Sequence, residues 1–369
     1  MSPPSLARCF ITKTGAFLPG DPISNESIQQ YLGTIEGEEE IKEKILRVNG
    51  IKQRHYALDK NQNPTHSLYE MGALAVANCL EDFVGKEDLG YLAAGSTNTP
   101  LVGPGLASLI HSALSERGVI RHPVEINSCS GICSSGAQAL VNAYRAVANQ
   151  EQKCAICLGV EQPSEILKST TIHLNEADPG EEKTERNSNW FMSVFLRFML
   201  SDGAGAFLLQ DAPAVNNLSF AIDWTFSRSF ANETPLCMKL ESRTLSLSQD
   251  VQILTENMAP CVRQLVAEAM ERHQTNLGEY LCILPHISSF YFKKYMLEVF
   301  KEYSANGNTP VDYWTNLASA GNTGSASIFI ILDEFSRTQP INHGDKLMLF
   351  IPESGQFNFV LVSLTAIKA

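Results

Sequence analysis

From residue 137 onward, Ala137, Leu140, Val141, Tyr144, Val147 and Ala148 recur three and four positions apart. That spacing places one apolar stripe along an α-helix. Other runs are almost wholly apolar and too short for such a helix: DLGYLAAGST (88–97), KCAICLGVE (153–161), YLCILPH (280–286) and KLMLFIPE (346–353). They read as buried strands. Strand and helix patterns alternate along the chain, which predicts an α/β fold.

The alternation runs through one order twice. A strand over 88–97 is followed by a helix-like segment, a short strand over 124–128, a small-residue stretch, the helix from 137, and a strand ending at Glu161. The second pass has a strand over 280–286, a helix-like segment over 290–300, and the small-residue stretch LASAGNTGSAS (317–327). An apolar helix over 328–335 and a strand over 346–353 ending in Glu353 complete it. Two similar halves are therefore expected, 1–210 and 211–369, with matching loops facing one crevice. Two segments interrupt the rhythm. Residues 32–50 are a charged, partly helical excursion. Residues 170–190 are acidic and turn-rich, and are expected to form a surface loop or cap.

At 369 residues the chain exceeds a usual single core, and its 44% apolar and 18% charged content is that of a globular protein. The net charge of −12 argues against nucleic acid as a partner. No apolar stretch reaches the roughly 18–20 residues of a membrane span, and the N-terminal segment has no signal-peptide core. Nine scattered cysteines, several inside apolar runs, suggest reduced and buried thiols in a cytoplasmic protein.

Chemistry concentrates in the two small-residue stretches. Cys133 lies between a strand and a helix start, where unpaired backbone N–H groups and the helix dipole favour a thiolate. Gly131 and Gly136 permit a tight approach to it, and Ser134, Ser135 and Ala137 leave room for a substrate. Cys129, four residues earlier, is the rival nucleophile. A third reading has both as small buried residues. His286 ends an apolar strand, where α/β folds place ligands, and Asn322 sits in the turn AGNTGSAS. Alone, the first reads as a structural histidine and the second as a turn residue. Together, Cys133, His286 and Asn322 form a toolkit. The thiol can carry an acyl group, and the two N–H donors can hold an enolate oxygen. Glu161, behind the nucleophile helix, is a candidate base if burial raises its pKa. The competing reading makes Glu161 and Glu353 loop anchors.

GICSSGAQAL, LPHISS, AGNTGSASI and SDGAGA together resemble the thiolase superfamily, closest to condensing enzymes like ketoacyl synthase III. The resemblance implies a five-layered αβαβα thiolase fold with a Cys133–His286–Asn322 triad. A narrower likeness rests on GAFLPGDPISN, YLGTIEG, RVNGIKQRHYALD, LPHISSFYFKKY, GNTGSASI and IPESG. It is to ketosynthase-cyclases that make dialkylresorcinols and related cyclohexanediones, a group that acts in bacterial stilbene biosynthesis. It implies joining two acyl thioesters, one a β-ketoacyl unit, and closing a six-membered ring. It further implies a homodimer, no bound cofactor, and acyl groups delivered on coenzyme A or a carrier protein's phosphopantetheine. ISSF after the histidine and the acidic 170–190 segment depart from the plain synthase pattern. They point away from ordinary fatty-acid initiation, which is the alternative activity.

Gly203 and Gly205, in SDGAGA, and Gly355 are further candidates to shape the substrate crevice. Lys293 and Lys294 could meet an acidic carrier or a pantetheine phosphate, or simply form a solvated helix face. The apolar stretch 191–200 could line an acyl tunnel, form a dimer contact or be plain core. Cys154 and Cys157 have redox-motif spacing, but three apart in a strand they face opposite ways. No His/Cys cluster has zinc spacing, so no metal is expected.

Overall fold

The computed structural model describes residues 9–175, 183–304 and 311–368. Nine strands form one sheet: β1 Phe10–Phe17, β2 Leu89–Ser96, β3 Glu125–Ser130, β4 Cys154–Glu161, β5 Gly203–Gln210, β6 Leu218–Ser229, β7 Cys282–Pro285, β8 Lys346–Ile351 and β9 Asn358–Lys368. Their spatial order is β7-β8-β9-β6-β1-β5-β4-β2-β3.

The sheet is narrowest in its middle. Strands β1 and β6 share only the pairs Phe10↔Ala221 and Ile11↔Phe220. Outward from that seam the two arms repeat one pattern. On one arm, β1/β5 and β5/β4 are antiparallel and β4/β2 is parallel. On the other, β6/β9 and β9/β8 are antiparallel and β8/β7 is parallel. The first arm adds parallel β3. The second has a single parallel bridge, Ile283↔Tyr313, at that place.

The main helices are α1 Glu39–Asn49, α2 Leu68–Cys79, α3 Leu106–Glu116, α4 Ser135–Ala148, α5 Lys183–Arg197, α6 Val251–His273, α7 Lys293–Glu302 and α8 Ser327–Thr338. The apolar cores sort them into layers. One core packs α2 and α3 against the first arm. Another joins α4 and α8 with inward residues of both arms, such as Ala155, Phe207, Leu349 and Val362. A third packs α6 and α7 against the far face of the second arm. The result is helices, one arm of the sheet, the central helix pair, the other arm and helices again, the five layers that the thiolase resemblance implies.

The alternation along β4 shows how strict the layering is. Cys157 faces the central core and Cys154 the outer one, and both are free thiols. The central helices also lie very close to the sheet. A Cβ on Gly136 of α4 or Gly159 of β4 would each come within 2.3 Å of the Ser325 carbonyl oxygen ahead of α8. Only glycine fits there.

The 170–190 segment differs from the expected loop. Ser169–Asn175 is helical and α5 begins at Lys183, while residues 176–182 lie outside the described residues. The apolar stretch that follows explains the helix, because Met192, Val194 and Leu196 are buried. At its end Arg197, fully buried, pairs with buried Glu38 at 3.2 Å and donates to the carbonyls of Leu32, Gly33 and Leu167. That guanidinium ties α5 to the charged excursion, whose helix α1 stops at Gly50 in a left-handed conformation. Among the described residues no helix is long and apolar enough to cross a membrane, and no group of His, Cys, Asp and Glu could hold a metal ion.

Candidate active site

Cys133 sits in the turn between β3 and α4, one residue ahead of Ser134, the N-cap of α4. Its sulfur lies where two cavities meet. One runs between α6 and α7 and is bordered by His286, Leu254, Met258, Val262, Tyr295 and Met296. The other runs towards α5 and is bordered by Asn322, Glu161, Thr97, Ile166, Leu196 and Met199. Gln249, Ser288 and Ser354 border both, as does Cys133. Cys129 borders neither. It lies on β3, donating to Asn127 Oδ1 at 3.1 Å.

His286 follows β7 directly and is 2% exposed. Its backbone N–H donates to Phe350 on β8 at 2.8 Å, which fixes the ring's root. Burial pushes the imidazole down to about 4, so it is neutral at pH 7. Its Nδ1 is buried without a partner among the described residues. Buried N–H groups without acceptors are rarer than bare acceptors, which favours the proton on Nε2.

Asn322 is held by its backbone. Its N–H donates to Met199 O at 3.1 Å and its carbonyl accepts from Ser201 N at 2.9 Å. Its side-chain Oδ1 accepts from Gly324 N at 3.0 Å. That bond sets the amide's orientation and leaves Nδ2 without a partner among the described residues.

The surroundings of the thiol work against the thiolate that the helix start favours. Burial pushes the Cys133 pKa up, and the nearby carboxyls of Glu353 and Glu161 push the same way. The helix start is outweighed by desolvation and like charge, so the sulfur rests protonated.

Glu161 Oε1 accepts four hydrogen bonds: from Thr97 N at 3.0 Å, Thr97 Oγ1 at 2.7 Å, Ser325 N at 3.3 Å and Ser325 Oγ at 2.6 Å. Oε2 accepts none among the described residues. Burial lifts the carboxyl to about 7 despite those donors. Glu353 borders neither cavity. Its Oε2 accepts from Ser134 N at 3.2 Å and from Ser134 Oγ, so it caps α4.

The glycine candidates have packing duties. Gly203 and Gly205 lie at the start of β5, where a Cβ would meet Ile330 at 3.1 Å and Phe329 at 2.5 Å respectively. They admit helix α8, and neither borders a cavity. Asp202 beside them accepts from Ala57 N, Ser164 N and Ser164 Oγ at 2.7, 3.0 and 2.5 Å. A Cβ on Gly355 would come within 2.8 Å of Glu353 Oε1, so this glycine makes room for that carboxylate rather than for a substrate. Lys293 and Lys294 are exposed at the start of α7. Lys293 lies 5.4 Å from the Tyr313 ring centre and Lys294 is 4.0 Å from Glu298. Gln249 lies outside every quoted motif, and Ser288, Ser354 and Thr97 lie inside LPHISS, IPESG and the 88–97 strand run without standing out there; only the fold reveals all four as cavity walls.

No model of a known protein family matches the chain. A β-ketoacyl-[acyl-carrier-protein] synthase III of Acholeplasma laidlawii is 23% identical over 337 residues, covering 89% of this chain and 90% of that protein. Its counterpart in Clostridium beijerinckii is 21% identical over 357 residues, covering 93% and 95%. Among solved structures, the tetronic acid condensing enzyme AbyA1 superposes with a TM-score of 0.76 at 17% identity, over 97% of this chain and 99% of that one. Xanthomonas campestris OleA with bound lauric acid and lauroyl-CoA does so at 0.76 and 16%, over 98% and 99%.

The fold is the thiolase fold of ketoacyl-synthase-III-like condensing enzymes. In this thiolase fold the starts of α4 and α8 occupy matching places on the two arms. One carries Cys133 and the other follows the turn of Asn322, so the internal repeat itself brings both to the walls of the joined cavities.

Proposed function

We propose that the chain is a condensing acyltransferase that joins two acyl thioesters through an acyl group on Cys133 and then closes a ring. One observation carries this reading: two largely apolar cavities meet at one sulfur. An enzyme that loads an acyl chain and then admits a second long thioester needs room on both sides of the nucleophile.

In the first step the Cys133 sulfur bonds to a thioester carbonyl carbon. The carbonyl's bond to the carrier sulfur breaks, and the thiol proton leaves with the carrier. In the second step Glu161 Oε2 takes a proton from the carbon between the two carbonyls of a β-ketoacyl thioester. A carboxyl near 7 suits that task at neutral pH. His286 Nε2–H and Asn322 Nδ2–H donate to the enolate oxygen. The carbanion attacks the acyl-Cys carbonyl, the new carbon–carbon bond forms, and the sulfur departs and regains a proton. Where the acyl group on Cys133 carries a 2,3-double bond, the carbanion adds instead to its carbon 3; carbon 4 of the β-ketoacyl unit, once deprotonated, then bonds to the acyl-Cys carbonyl carbon, the sulfur departs and regains a proton, and the six-membered ring formed is a cyclohexanedione that keeps the donor's thioester. The residues need no bound cofactor for these steps. Coenzyme A or an acyl carrier protein delivers the acyl groups, with Lys293 and Lys294 beside the first cavity as points of approach for phosphate or an acidic carrier. The homodimer fits the exposed edge of β3, where Ile126 is 44% exposed.

The relatives named above favour a second reading, decarboxylative condensation with a malonyl carrier. Paired thioesters separate the two. With a 2,3-unsaturated acyl-CoA and a β-ketoacyl thioester, intact-protein mass spectrometry should show the acyl mass on wild type and none on Cys133→Ala, and the product should be cyclic. Release of CO2 from malonyl carrier with a linear product would establish the second reading, and no acyl mass on Cys133 would sink both.

A further inference from the structure

Three polar side chains crowd the neck where the cavities join. Gln249 Nε2 donates to Ser354 Oγ at 3.0 Å, and Ser354 Oγ in turn approaches Met238 Sδ at 3.4 Å. The Gln249 carbonyl, its second N–H and the Ser288 hydroxyl find no partner among the described residues. None of these atoms is sealed away from the cavities. Beyond the neck the walls turn aliphatic and aromatic, with Leu254, Met258 and Met296 on one side and Leu196, Met199 and Leu247 on the other.

A saturated acyl chain has no polar atom beyond its thioester carbonyl. In the reading above, the thioester carbonyl of the β-ketoacyl donor has its own donors, His286 and Asn322. Half-satisfied amide and hydroxyl groups beside an apolar tunnel stabilise nothing in a saturated chain, and are penalised if the chain dehydrates them. They make physical sense if the substrate carries a second polar atom close to the reacting carbon. A β-ketoacyl thioester does: its keto oxygen lies two carbons from the thioester carbonyl.

We propose that Gln249 and Ser288 form a receptor for the keto oxygen of the β-ketoacyl thioester, with Ser354 positioning the Gln249 amide. The inference rests on the two-thioester reading above and names how that site chooses between its two substrates. The receptor donates N–H and O–H hydrogen bonds to the keto oxygen, whereas a saturated chain leaves both donors unpaired. Selection of this kind rejects the analogue that lacks the polar atom more strongly than any fit of methylenes could.

The test compares single-turnover rates of two thioesters of equal chain length, one saturated and one β-keto, on Gln249→Leu and Ser288→Ala. Each variant should lower the ratio of β-keto to saturated rates about ten- to a hundredfold, through KM for the β-keto donor. Ser354→Ala should lower it less, and Ser354→Thr should restore it. Thermal melting of each variant reports whether the fold survives. Equal slowing of both thioesters would instead make the neck a site for the pantetheine amides and overturn the proposal, as would an unchanged ratio in both variants. If wild type acylates Cys133 with neither thioester, the two-thioester reading has failed first, and the mass measurement shows it separately.

Discussion

Two glutamates end corresponding strands on the two arms of the sheet, and each reaches across to the opposite arm's central helix. Glu161, the last residue of β4, accepts from Ser325 just ahead of α8. Glu353, just beyond β8, accepts from Ser134 just ahead of α4. The clasp is reciprocal, and each carboxylate satisfies backbone donors at a helix start. Each makes these bonds through a single oxygen, Oε1 in Glu161 and Oε2 in Glu353, yet of the two only Glu161 borders either cavity. The same residue type in the same place is a cap on one arm and a cap with chemical reach on the other. What separates them is access to the cavities.

The largest effect expected from this difference is on chemistry. Glu161→Gln should keep the Thr97 and Ser325 contacts in part, yet slow condensation about 10²- to 10⁴-fold, the usual worth of a placed base. Acyl uptake on Cys133 should change only a few-fold. Single-turnover condensation should rise with pH through about 7 in wild type, because the carboxyl titrates there, and be flat in the variant. The same shift has a stability side with a definite sign. A carboxyl raised from 4.5 to about 7 contributes stability that is fully present below 4.5 and is lost as pH rises through 7. Urea midpoints should therefore fall in wild type relative to Glu161→Gln over that window. A condensation rate independent of pH near 7 would leave Glu161 a cap like its counterpart.

The matching substitution on the other arm sharpens the contrast. Glu353→Gln should cost about 1–3 kcal/mol of stability, read from denaturant unfolding, because the Ser134 donors at the start of α4 lose a charged acceptor. Condensation should fall far less than in Glu161→Gln. If the two variants lost activity equally, the distinction between a cap and a base would be wrong.

Much of this was legible along the chain because it is local. Runs such as KCAICLGVE and YLCILPH announce strands within a residue or two of their observed ends, and the stripe from Ala137 announces α4. The turns holding Cys133 and Asn322 are legible for the same reason: small residues mark a strand giving way to a helix. Long-range contacts left no such mark. Gln249 meets Ser354 across 105 positions, and Arg197 is neutralised by Glu38, far upstream. Gly203 and Gly205 look like a ligand turn in sequence, but the space they leave is filled by Phe329 and Ile330 of α8. The acidic 170–190 segment hid the start of a helix, since its charged half masks the apolar half that follows. The protonation of Cys133 is not legible in the sequence either, because desolvation depends on what packs around the sulfur, which no local pattern records.

The smallest expected effect concerns the other thiol of the opening small-residue stretch. Cys129 and Cys133 are four residues apart, and their pKa values are both raised by burial. Their surroundings differ. Cys129 Sγ donates to Asn127 Oδ1, Asn142 Nδ2 lies 3.6 Å from it, and Cys129 borders neither of the two cavities. Cys129 is half-buried on the edge strand β3, away from both cavities that Cys133 joins. Cys129→Ala should leave acyl uptake within about twofold of wild type and cost on the order of 1 kcal/mol, the usual size of a lost buried contact of this kind. Uptake that moved from Cys133 to Cys129, or vanished with Cys129, would mean that proximity to a helix start outweighs access to the cavities. The whole contrast between the arms would then have to be redrawn around β3.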